Sequence, residues 1–198
     1  RSLSWDALPD SRERPSIVGN EAHRHLQAEA YARSITLVRN DEQRLPLRLK
    51  PEQRLVLLSL PRNTATLVED RYYHDNLLLD ILRQYHPNSH MQDAPAKLDH
   101  GELLHSTNDL DTYIVATVNA HLDKEQARLV RDLVEAGRRV IGLALRDPYD
   151  LQAFPQLQTY LACYEYTVPA LQAAARVLFG QARATGRLPV SIPGLLYL

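Results

Sequence analysis

Residues 112–145 read TYIVATVNAHLDKEQARLVRDLVEAGRRVIGLAL. From Thr112 to Val118 the residues are apolar or β-branched with no polar alternation, the pattern of a strand covered on both faces. Asp123 stands where an N-cap belongs, with Gln126 three residues on, a variant of the capping box. Ala127, Val130, Leu133 and Val134 recur at helical spacing and make one apolar face. Gly137 supplies the left-handed position after the last turn. Arg139 to Leu145 is a second buried-type strand. Strand, helix and strand in this order predict a βαβ unit with parallel strands.

The same alternation extends outward in both directions. Upstream, Asn20 caps a predicted helix with Ala22, Leu26 and Ala30 at four-residue spacing, and Ser34 to Asn40 reads as a strand closed by an Asn-Asp turn. Arg54 to Leu60 is another continuous apolar run, and Glu69 to Tyr85 a helix with Leu78, Ile81, Leu82 and Tyr85 on one side. Residues 86–111 read as loop with room for one short strand or a turn of helix. Downstream, Asp147-Pro148-Tyr149-Asp150 makes a turn in which Asp150 is the expected N-cap. Leu161 to Tyr166 is a shorter strand. Thr167 caps a last helix carrying Pro169 in its first turn and ending at Gly180. Residues 1–19 are polar and broken by Pro9, Pro15 and Gly19, and read as a linker into a domain spanning 20–198. The expected fold is α/β: a three-layer α/β/α sandwich around an open, mostly parallel, doubly wound sheet of five or six strands.

Composition narrows the function. The chain has 198 residues, 44% hydrophobic and 24% charged, ordinary values for a globular domain and foreign to disorder, collagen or a coiled coil. Twenty-three basic residues against 24 acidic ones leave a net charge of −1, so no overall field holds nucleic acid or an anionic membrane. Apolar runs reach about six residues, far below the ~20 that span a bilayer, so no membrane span is expected. One cysteine, Cys163, excludes an internal disulfide and reads as a buried inert thiol. The first residue, Arg1, is not methionine, which suggests a processed or excised chain. No signal stretch is evident, and the compartment stays open.

The usual chemical fingerprints are missing. No G-x-G-x-x-G, no P-loop and no G-x-S-x-G elbow occurs, and the seven glycines do not cluster, so nucleotide, flavin and serine-hydrolase chemistry have no support and no cofactor is expected. The eight histidines lack ligand spacing. His23 and His25 fall on different faces of a helix, Pro87 separates His86 from His90, and His100, His105 and His121 have no local carboxylate or cysteine partner, so no metal is expected. What remains are polar residues just beyond strand ends: Arg62 and Asn63, Asn119 and His121, Arg146 and Asp147. In a doubly wound sheet they line one rim, where such folds bind ligands or neighbouring domains; turn and cap duty explains them equally well.

Several motifs in order carry a resemblance. They are Ala32 to Asp41 followed by Leu45-Pro46-Leu47; Asn119 with the 123–137 helix and Val140-Ile141-Gly142-Leu143; Arg146-Asp147-Pro148-Tyr149-Asp150-Leu151; and Phe179-Gly180 with Gly186-Arg187-Leu188-Pro189-Val190-Ser191-Ile192-Pro193. Together, over roughly residues 20–197, the chain resembles the C-terminal domain of glycoside hydrolase family 3, in the flavour of the bacterial β-N-acetylglucosaminidase (β-N-acetylhexosaminidase) branch. Asp147 departs from the commoner Asn of that family's Arg-Asn-Pro-Tyr-Asp-Leu signature. The resemblance implies an N-terminal (β/α)₈ barrel as partner. It also implies a nucleophilic aspartate and an Asp–His acid/base on that barrel, none of which maps here, and no catalytic residue in this chain. In the β-glucosidase branch the acid/base glutamate comes from this domain; Glu69 and Glu102 are the nearest candidates. Docking would use the linker and the strand-end rim, with Arg62, Asn63, Arg146 and Asp147 near the barrel's mouth. Two other readings stand beside it: a carbohydrate-binding module using Tyr72, Tyr73, Tyr149 or Tyr160 as platforms, and a flavodoxin-like cofactor or interaction domain.

Overall fold

The computed structural model describes residues 17–59, 75–94, 104–105 and 107–195. Helix α1 (Glu21–Ser34) leads into strand β1 (Thr36–Asn40). Strand β2 (Leu55–Ser59), helix α2 (Asp75–Tyr85) and strand β3 (Ser89–Asp93) follow. Then come β4 (Thr112–Thr117), α3 (Lys124–Glu135), β5 (Arg139–Ala144), a 3₁₀ helix (Pro148–Ala153), β6 (Thr159–Ala162) and α4 (Val168–Leu178). The six strands form one sheet in the order β1-β6-β5-β4-β2-β3. Every neighbouring pair is parallel except β1 with β6. The fold is therefore the mostly parallel, doubly wound α/β sheet that the sequence predicts.

The apolar runs explain the layers. Along β2, Leu55 and Leu57 enter one core while Val56 and Leu58 enter the other. Along β4, Ile114 and Ala116 alternate with Tyr113 and Val115 in the same way, and β5 sends Ile141 and Leu143 to one side and Val140 and Ala144 to the other. Each strand must be apolar throughout because each successive side chain points into one core or the other. Leu78 and Leu82 of α2 and Leu171, Ala174 and Leu178 of α4 close the first core; Leu129, Val130 and Leu133 of α3 and Phe154 close the second.

The caps match expectation in part. Asn20 Oδ1 accepts a hydrogen bond from His23 N, and Asp123 Oδ1 accepts from both Glu125 N and Gln126 N. Gly137 and Gly180 take left-handed conformations at φ 73° and 74°. Thr167 precedes α4 in extended conformation, but its hydroxyl makes no capping bond. The last strand sits earlier than predicted, at Thr159–Ala162 rather than Leu161–Tyr166, because Tyr164 turns left-handed and ends it. Residues 89–93 supply the short strand for which 86–111 had room. The first half of the predicted 69–85 helix lies outside the described residues.

Gly142 is a packing requirement rather than a turn. A Cβ there would lie 2.6 Å from Leu157 Cδ2 and 2.8 Å from Tyr160 Cδ2, both on fully buried side chains. Gly142→Ala should destabilise the domain by about 1–3 kcal/mol through overpacking, read as a lower urea midpoint at unchanged slope.

Candidate functional site

Because β2, β4, β5 and β6 run parallel, their carboxyl ends share one edge of the sheet. The ladder continues past the strand ends: Leu145 N donates to Thr117 O at 2.9 Å and Cys163 N to Ala144 O at 2.8 Å. This carries the two following loops onto one rim. Asn119 and His121 follow β4, Arg146 and Asp147 follow β5, and the structure brings these four predicted residues together along that rim. Arg62 and Asn63, with Glu69, Tyr72, Tyr73 and Glu102, lie outside the described residues.

Three of the four have a defined local role. Asn119 is left-handed at φ 53°, a conformation Asn tolerates, and its carbonyl accepts from Leu122 N. Arg146 is exposed. Asp147, rather than Asp150, caps the 3₁₀ helix, its Oδ1 accepting from Tyr149 N at 2.9 Å. His121 is half-buried and pairs with a residue 29 positions away: its Nδ1 lies 2.9 Å from Asp150 Oδ1, and its backbone N donates to the same oxygen at 3.2 Å.

Asp150 is the residue that sequence reasoning missed. It has no exposure at all, and it ties the loop after β4 to the loop after β5. Its Oδ2 and the Thr117 hydroxyl are both buried and fall short of a full hydrogen bond with any described residue. Burial pushes the Asp150 carboxyl above the ordinary carboxylate value, against the opposing pull of His121 and a weaker one from the Thr117 hydroxyl. Tyr149 approaches the His121 ring edge-on, with centroids 6.3 Å apart. No local spacing signals this pair; only the parallel pairing of β4 with β5 makes the two loops adjacent.

The remaining expected residues fall as follows. Tyr160 is fully buried and so is not a sugar platform, its hydroxyl donating to Pro148 O at 3.3 Å. Tyr149 is half-buried. Cys163 is buried, and the loss of hydration raises its thiol pKa to about 12. Among the described residues no group of three or more His, Cys, Asp or Glu side chains could hold a metal, and no helix is long and apolar enough to cross a membrane.

The residues that build this sheet and its rim match a family description. Residues 35–196 match the model of the glycosyl hydrolase family 3 C-terminal domain. The chain belongs to that family. Beta-hexosaminidase A of Pseudoalteromonas piscicida is 28% identical over 89% of the chain, which spans only 34% of that relative. Among solved structures, a fungal multi-domain family 3 β-N-acetylglucosaminidase superposes with a TM-score of 0.77 at 32% identity, over 92% of this chain and 21% of the other. A family 3 β-N-acetylglucosaminidase from a Paenibacillus species superposes over the whole chain and 36% of its own, with a TM-score of 0.75 at 21% identity. A β-glucosidase from Listeria innocua shares the fold at 14% identity and a TM-score of 0.69, over 93% of this chain and 28% of its own. Family 3 enzymes pair this C-terminal domain with an N-terminal one.

Two outcomes follow from the rim's electrostatics. Because burial raises the folded-state pKa of Asp150, the unfolded chain loses this proton first. The buried ionised carboxyl therefore costs stability that is absent in acid and grows as pH climbs above the ordinary carboxylate value. Asp150→Asn removes that pH-dependent cost. Wild-type stability relative to the variant should fall as pH rises from 4 through the raised value, read by urea denaturation at each pH; a flat difference would contradict the assignment. Cys163 should resist iodoacetamide at pH 8 in the native chain and react fully once unfolded, read by mass spectrometry.

Proposed function

We propose that this chain is the C-terminal covering domain of a retaining family 3 glycosidase acting on terminal β-linked N-acetylglucosamine or another hexoside, and that by itself it hydrolyses nothing. The observation that carries the reading is the condition of the rim's carboxylates. A retaining glycosidase needs two carboxyl-type groups placed on either side of one sugar bond. Asp147 is occupied as a helix cap, and Asp150 is wholly buried behind His121. Asp150 is cut off from a sugar by its burial, and Asp147 gives Oδ1 to the cap, so in this reading the two do not form an opposed catalytic pair. The relatives named for N-acetylhexosamine hydrolysis span this chain with roughly two-thirds of their own length to spare, room for a barrel that carries the reacting groups.

In this reading the rim meets the N-terminal barrel. Arg62, Asn63, Asn119, His121, Arg146 and Asp147 are the facing residues, with Arg62 and Asn63 retained from the sequence alone. Exposed Ile17, Val18 and Leu26, on and just before α1, add apolar surface at the start of the described chain, the kind of surface that marks an interdomain contact.

The purified chain should give no steady release of chromophore from a chromogenic N-acetylglucosaminide, while the chain joined to its barrel should turn over. Steady turnover by the chain alone would reject the reading. The barrel expressed with and without this domain should differ in melting temperature and in kinetics; identity of both would reject docking.

A further inference from the structure

At the edge of the sheet opposite the rim, where β2 and β3 begin, lies a cleft of about 390 Å³ whose lining includes Arg48, Lys50, Tyr85, His86 and Phe179. That size falls within the range of small-molecule sites, roughly 300–1,000 Å³. Three separate pieces of chain build it: the segment 47–50 ahead of β2, the end of α2, and the end of α4.

Each piece is held in place by an identifiable contact. Leu47 N donates to Leu178 O at 2.7 Å, and a Cβ at Gly180 would lie 2.7 Å from Pro46 Cβ, so the segment before β2 lies close against the end of α4. Beyond Lys50 the chain is tied down again. Asn88 Nδ2 donates to Glu52 O and Gln53 O, both at 3.1 Å, and His86 Nε2 donates to Gln53 O at 2.7 Å. Tyr85 and Phe179 join α2 to α4 as a stacked pair, with ring centroids 4.9 Å and planes 7° apart. The walls are therefore preorganised.

The lining carries charge of one sign. Along 47–50 burial alternates: Leu47 and Leu49 pack against the first core, while Arg48 and Lys50 are exposed. Neither cationic side chain has an ion pair or hydrogen bond among the described residues, and none of the described Asp or Glu residues lines the cleft. Cations beside a helix end are often explained by its unpaired carbonyls. Here the last four carbonyls of α4 are already taken by backbone donors. Ala175 O accepts from Phe179 N, Arg176 O from Gln181 N and Ala182 N, Val177 O from Gly180 N, and Leu178 O from Leu47 N. That helix end leaves Arg48 and Lys50 nothing to cap. Beside the two charges, Tyr85 and Phe179 supply half-buried aromatic surface. Two unopposed cations next to an aromatic pair fit a molecule that is anionic at one end and flat and apolar at the other. We propose that this cleft binds an aromatic anion, a carboxylate or phosphate whose oxygens meet Arg48 and Lys50 while its ring packs along Tyr85 and Phe179. This goes beyond the covering-domain reading and stands on the cleft alone.

The test uses the chain itself, ¹⁵N-labelled and titrated separately with phenyl phosphate, benzoate, inorganic phosphate and benzyl alcohol. Phenyl phosphate or benzoate should shift the amides of Leu47 to Lys50, Tyr85, His86 and Phe179 together and to saturation, and the tighter of the two identifies the charged group. Inorganic phosphate and benzyl alcohol each carry only half of the ligand and should bind about fivefold more weakly or worse. Arg48→Gln and Lys50→Gln, both at exposed positions, should each weaken binding about threefold, the scale of an exposed ion pair, and the double substitution about tenfold, with the rest of the spectrum unchanged. No saturable shift at about 50 mM of either aromatic anion, well above a millimolar-range Kd, would overturn the proposal. So would equal binding of benzyl alcohol or inorganic phosphate, indifference of the double variant, or shifts centred on other residues. The outcome is independent of the hydrolysis test, which reads turnover by the barrel-containing protein.

Discussion

The structure depends on one constraint: its central strand has no side that faces water. All six residues of β4 are buried, and Tyr113 to Ala116 alternate between the two cores on opposite faces of the sheet. A helix or 3₁₀ segment must therefore cover each face, and the chain must cross from one end of the sheet to the other between successive parallel strands. Those crossovers bring every following loop out on the same edge. The rim is a consequence of the layering, and its residues need no other device to gather them.

Much of this was legible in the residues. The 112–145 stretch predicts β4, α3 and β5 because an unbroken apolar run, a capped amphipathic helix and a C-terminal glycine are local signals, and tertiary packing agrees with each of them. Polar residues just past strand ends were likewise readable as rim residues. The partnership of His121 with Asp150 was not, since a separation of 29 residues carries no periodicity. Asp150 looks like a helix cap because Asp before a turn usually is one; Asp147 took that role and left Asp150 free to be buried. The end of β6 was misplaced because Tyr160 to Tyr166 is nearly as apolar as a strand, and nothing in tyrosine announces the positive φ of Tyr164.

Family membership and the rim fit together physically. In the covering-domain reading proposed above, this domain shapes a neighbour's site by excluding water and by fixing loops against it. The buried Asp150 suits that duty: it fastens two adjacent loops from behind while His121 keeps part of its ring at the surface. The Gly186-Arg187 step works similarly at the other end of the rim, where a missing side chain allows a close backbone approach that sets a guanidinium at the mouth of a cleft.

The antiparallel strand β1 closes one side of the sheet and carries an irregularity in its register between Leu37 and Arg39. Arg39 reaches across to donate to Pro155 O and Leu157 O, and Asp41 sits beside its guanidinium. An outermost strand with a straight backbone offers a template on which another molecule can add its own strand. Here a kink and an anchored charge spoil that template. The β1 margin is thus a poor platform for the addition of a foreign strand.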